Sequence, residues 1–159
     1  MKILLATDGT KQSEAAIEVL DRFCLSSGDE VKIITVIDMA VPMTIDIYGG
    51  FLPDTTELEK VARENAARVL DQTGEKVKGF CKTEGVSITT ETLFGSPESR
   101  IVETAEQSQT DLIIIGSHGY NAWERLLLGS ISDSVVRHAP CSVLVVRTAA
   151  EEEEEEELK

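Results

Sequence analysis

Short apolar runs recur along this chain, separated by longer stretches in which apolar residues fall every three or four positions. The runs Lys2–Ala6, Val31–Ile37, Val86–Leu93, Leu112–Ile115 and Ser142–Val146 are too short for core helices. They predict strands. A first helix over about Thr10 to Leu25 gathers Ala16, Val19, Leu20 and Phe23 on one face. A second, about Thr55 to Thr83, does so with Leu58, Val61, Ala62, Ala66, Val69, Val77 and Phe80, and places Thr56 and Glu59 at capping-box spacing. Gly74 and Gly79 weaken the helical case in its later turns. The third opens on Ser96-Pro97-Glu98, an N-cap followed by proline, and buries Ile101, Val102 and Ala105. The fourth runs from Ser130 to about His138 and stops before Pro140. Strands apolar on both faces, alternating with helices, predict an α/β fold with one open, five-stranded parallel sheet and four helices covering both faces.

Two stretches break the alternation. Met39 to Pro53 holds two prolines and Gly49-Gly50, and is either an insulating loop or a cover over a ligand. The other is Gly116 to Ser130, which leaves the apolar strand Asp111–Ile115 and runs into a helix. Glycines 116, 119 and 129 are expected to let the backbone turn sharply and approach a ligand closely. Ser130-Ile131-Ser132-Asp133 has the spacing of a capping box, and the unpaired N–H groups of that first turn form an anion site that needs no lysine. No Gly-Lys-Ser or Gly-Lys-Thr follows the glycines, and their spacing is not Gly-x-Gly-x-x-Gly, so neither a Walker A loop nor a dinucleotide fingerprint is present.

Charge narrows the partners. The net charge is −14, and Glu151 to Glu157 form a run of like charges expected to be a solvated tail over 149–159, beyond a single domain over 1–148. The chain is acidic even without that run, which argues against nucleic acid or an anionic membrane as a partner. Cys24, Cys81 and Cys141 are odd in number and lack Cys-x-x-Cys spacing. Reduced thiols of a cytosolic protein fit them best. No apolar stretch is long enough to span a membrane.

Strand, Gly-x2-Gly, nine residues, Gly-Ser and an amphipathic helix together resemble the nucleotide-binding signature of the universal stress protein family, in its ATP-binding branch. Lys2 to Asp8 resembles the family's first strand and its terminal Asp, and Arg137 to Arg147 its last helix end and strand. The resemblance implies an adenine nucleotide alpha-hydrolase-like fold with strand order 3-2-1-4-5. Ligands of open α/β sheets bind where strand order reverses, which brings the first and fourth strand ends to one crevice. The nucleotide-binding residues implied are Ala6, Thr7, Asp8, Val36, Gly116, Ser117, His118, Gly119, Arg125, Gly129, Ser130, Ile131 and Ser132. Asp8 is either a ligand to nucleotide donors or a turn-forming residue. His118 lacks an identifiable carboxylate partner that would make it a general base. Tyr120 stands where the family often has Arg, leaving Arg125 as the cation of the loop, with a solvated role as its alternative. Trp123 is expected to anchor the loop by packing, and His138 to satisfy carbonyls at a helix end.

The function implied is that of a cytosolic, ATP-binding regulator of the stress response, with Mg²⁺ or Mn²⁺ carried on the phosphates. The resemblance also implies a homodimer paired through Ser142 to Arg147. A slow ATPase, and a dimeric interaction module that holds AMP, cyclic AMP or no nucleotide, are the alternatives.

Overall fold

The computed structural model describes residues 1–38, 56–117 and 128–147. Met39 to Pro53, the 118–127 segment and the glutamate tail lie outside them. Five strands and four helices follow one another: β1 (Lys2–Ala6), α1 (Lys11–Asp21), β2 (Glu30–Ile37), α2 (Thr56–Phe80), β3 (Ser87–Phe94), α3 (Pro97–Gln107), β4 (Leu112–Gly116), α4 (Ser130–His138) and β5 (Ser142–Val146). All strand pairs are parallel, in the order β3-β2-β1-β4-β5.

Side-chain alternation along each strand divides the core. Ile3, Leu5, Val31, Ile33 and Ile114 face Ala16, Ile17 and Leu20 of α1 and Leu70 and Val77 of α2. Leu4, Ala6, Ile34, Ile113 and Ile115 face Ile101 and Ala105 of α3 and Val135 of α4. Burying one such side chain contributes about 1.5–3 kcal/mol, so both layers are needed to hold the sheet. The two faces follow from handedness. Successive crossovers from β1 to β3 step one way along the sheet, those from β3 to β5 step the other way, and right-handed connections then put their helices on opposite sides.

Some element boundaries differ from those read in the sequence. Helix α1 ends at Asp21, yet Phe23 and Leu25 still pack on the core, so their apolar character carried the periodicity past the helix end. Helix α2 passes through Gly74 and Gly79 but stops at Phe80. Its first turns are less buried than their pattern predicts: Leu58 is 69% and Val61 51% exposed. Thr56 is itself helical, so it cannot be the cap of a Thr56–Glu59 box. Among the described residues, no helix is long and apolar enough to cross a membrane.

Candidate functional site

Strand β1 delivers Ala6, Thr7 and Asp8 to the carboxyl edge of the sheet, and the Thr7 N–H donates to the Ile34 carbonyl at 2.9 Å. Gly9 then turns the chain at φ +79°, with α2 so close that a Cβ would lie 2.7 Å from Val69 Cγ2. The left-handed backbone demands glycine, and the crowding against Val69 adds to it. Thr10 caps α1, and Asp8 Oδ1 accepts from the Thr10 N–H (3.0 Å) and hydroxyl (2.6 Å). Asp8 is thus a turn former, and the residue also lines the crevice. Behind it, the buried Ser13 hydroxyl donates to the Thr10 carbonyl (2.9 Å) and accepts from the Thr7 hydroxyl (3.1 Å). These bonds stiffen the β1–α1 turn before any ligand arrives.

Gly116 ends β4 and lines the crevice, and its lack of a Cβ also meets a packing demand. A Cβ there would stand 2.9 Å from both the carbonyl carbon and oxygen of Gln12 and 3.1 Å from the Ser13 nitrogen. Glycine is required because the first turn of α1 presses on the end of β4. Ser117 follows, donating its N–H to the Val146 carbonyl at 2.7 Å. Its own carbonyl accepts from the Gly129 N–H and from the Ser132 hydroxyl, each at 2.8 Å.

Gly129, not Ser130, is the N-cap of α4, at φ −61° and ψ 155°. The expected capping box therefore does not form: the cap is a glycine with no side-chain cap bond, Ser130 is already helical, and Asp133 pairs with Arg137 at 2.9 Å. The physical reason is that Gly129 fits the extended cap conformation and its N–H already has an acceptor in Ser117. The N–H groups of Ser130, Ile131 and Ser132 have no intrahelical acceptor, since the first such bond runs from Asp133 N to the Gly129 carbonyl. At the other end, His138 Nδ1 donates to the Ser134 carbonyl at 2.8 Å, the helix-end role expected of it.

These segments surround a cavity of about 240 Å³. Ala6, Thr7, Asp8, Val36, Gly116, Gly129, Ser130, Ile131 and Ser132 all line it, so the structure brings together most of the residues singled out in the sequence. Ser117 lies beside it through its bonds to Gly129 and Ser132. His118, Gly119 and Arg125 lie outside the described residues. Sequence reasoning missed Ser13, Ile34, Pro97, Ile101 and Ile115 in the lining. The isoleucines read simply as core, Pro97 only as a helix start, and Ser13 gave no signal beyond lying one turn past Asp8.

The cavity lining is chemically mixed. Ile34 and Val36 of β2, Pro97 and Ile101 of α3 and Ile115 of β4 are apolar, while Asp8, Ser13, Ser130 and Ser132 bring polar groups. Helix α3 also starts here, but Pro97 removes an N–H from its first turn, and Ser96 hydrogen-bonds the Glu98 carboxylate, which with the Glu98 N–H holds that group below its ordinary pKa. A resident carboxylate offsets the positive end of α3. The start of α4, by contrast, keeps three donors for an outside anion.

Residues 1–147 match the universal stress protein family. The chain belongs to that family. A universal stress protein of Methanocaldococcus jannaschii is 34% identical over 146 residues, covering 92% of this chain and 81% of that one. A universal stress protein of Lactobacillus plantarum superposes with TM-score 0.71 at 25% identity, over 92% of this chain and 97% of that one. At lower identity the likeness is one of fold. An Arabidopsis thaliana family member with AMP bound gives TM-score 0.67 at 16% identity, covering 96% of this chain and 94% of the other. A family member in complex with cyclic AMP gives 0.63 at 19%, covering 94% and 98%.

Proposed function

We propose that this universal stress protein binds ATP in the cavity at the β1/β4 strand-order reversal and works as a nucleotide-responsive regulator. The observation that carries the reading is the mixed lining of the cavity: apolar side chains from β2 and α3 together with the opening turn of α4, whose first N–H groups have no intrahelical acceptor. A base and ribose suit the first, and phosphate oxygens suit the second. In this pose Val36 lies at the base, Asp8 accepts from ribose or adenine donors, and Ser130 to Ser132 present amides to phosphate. The cavity, at about 240 Å³, falls just under the range of roughly 300–1,000 Å³ usual for small-molecule sites. It suits the nucleoside part, with the phosphates continuing along α4. Mg²⁺ or Mn²⁺ would travel on the phosphates and neutralise their charge.

Affinity rather than turnover is the function we assign. Fast phosphoryl transfer needs a charge stabiliser and a group that positions water, and the described cavity lining offers no lysine, arginine or histidine. The AMP and cyclic AMP held by two relatives of the same fold favour a second reading in which one of these is the ligand.

Calorimetric titration with ATP, AMP and cyclic AMP separates these readings, the tightest ligand naming the nucleotide. Gly129→Val should weaken ATP binding by about 2 kcal/mol in a protein with unchanged far-ultraviolet dichroism, because Gly129 lines the cavity next to the α4 amides and a branched side chain there would hinder close approach of phosphate. Wild-type affinity in the folded variant would overturn the phosphate assignment.

A further inference from the structure

Ser132 lines the cavity and is only 3% exposed, yet its hydroxyl proton is spoken for. The Ser117 carbonyl lies 2.8 Å from Oγ and the Gly129 carbonyl 2.9 Å away. Carbonyl oxygens only accept, so the single Ser132 proton must serve these two. What remains on Oγ are lone pairs, and phosphate oxygens at neutral pH offer further lone pairs. To donate to phosphate, the hydroxyl would have to give up its bonds to these two carbonyls, which would then keep only their backbone donors, the Gly129 N–H on Ser117 (2.8 Å) and the Asp133 N–H on Gly129 (2.9 Å), so a bond already made inside the protein is traded for the one gained.

The same two carbonyls belong to the residues joined by the Gly129 N–H to Ser117 carbonyl bond of 2.8 Å. Ser117 is in turn tied to the end of β5 through Val146. Ser132 thus closes a small ring that fixes the start of α4 to the carboxyl edge of the sheet. The direction of the Ser130, Ile131 and Ser132 amides depends on that start.

We propose that Ser132 is a positioning residue for the phosphate-binding turn, acting through the Ser117 and Gly129 carbonyls and not by side-chain contact with the nucleotide. This rests on the nucleotide reading of the cavity, but the ring itself can be tested without any ligand. In the ligand-free protein, Ser132→Ala should speed amide exchange at Gly129 about tenfold, the size of effect expected when one buried hydrogen bond is lost. A purely direct phosphate contact would leave that exchange unchanged. With ligand, the variant should bind ATP about tenfold more weakly and adenosine within twofold of wild type. Ser132→Thr, which keeps the hydroxyl, should restore both Gly129 protection and ATP affinity.

Unchanged Gly129 exchange in folded Ser132→Ala would overturn the proposal, as would equal losses for ATP and adenosine. Should the alanine variant not fold, Ser132→Cys replaces it with the same expectations, since a thiol is a weak donor of similar shape. If the wild-type protein binds no adenine nucleotide, the functional reading fails while Gly129 exchange still decides the ring.

Discussion

Gly9 and Gly116 show how one residue type answers different physical demands. Gly9 is fixed by its left-handed backbone and by Val69 of α2. Gly116 has no positive φ, and its constraint is the backbone of Gln12 and Ser13 packed against it. A side chain could yield by a rotamer change, whereas helix backbone cannot. Gly116→Ala should therefore destabilise the protein by about 1–3 kcal/mol in chemical denaturation, the usual cost of overpacking. An alanine variant as stable as wild type would show that α1 shifts freely, contrary to the role assigned here. Ser13, whose nitrogen lies against Gly116 and whose hydroxyl is bonded to Thr7 and Thr10, would move with α1.

Among the elements, α2 combines a long packed face with glycines at two positions that packing does not require. Gly79 is exposed, and no atom lies within 4 Å of a Cβ built on it. The helix continues through it because Val77 is buried and Phe80 packs on the same core. Gly79→Ala should raise stability by about 0.5–1 kcal/mol, read from the denaturation midpoint, by reducing the backbone entropy lost on folding. No gain would mean that α2 is frayed there. At the edge of the sheet, β5 raises a different issue. Val146 turns its carbonyl toward Ser117, so the alternation of a parallel ladder turns the N–H and C=O of Val143 and Val145 outward. These groups are the natural sites for pairing with a second copy.

At the scale of the whole molecule, we propose that this edge joins two chains about a two-fold axis. Lysine at Val146 would be a poor probe, because that side chain is 7% exposed and belongs to the core. Val145→Pro removes an outward N–H from an edge strand, where proline is tolerated, and should give a folded monomer in sedimentation. A wild-type protein already monomeric at micromolar concentration would sink the dimer. Much of this molecule is legible in the sequence, since the alternation of short β-branched runs with helical periods is a local property set by which faces must avoid water. That pattern alone determined five strands, four helices and a parallel sheet covered on both faces. The strand order came from family resemblance, and the structure bears it out. Only tertiary structure could decide what each glycine meets, that Gly129 rather than Ser130 caps α4, and that Leu58 and Val61 are exposed. The same holds for Ile34, Pro97, Ile101 and Ile115, which look like core or helix-start residues until the strand-order reversal leaves a space between the sheet edge and the helix starts. Periodicity records which way a side chain points relative to its own element; whether that side chain meets another element, a cavity or solvent depends on segments far away in the chain.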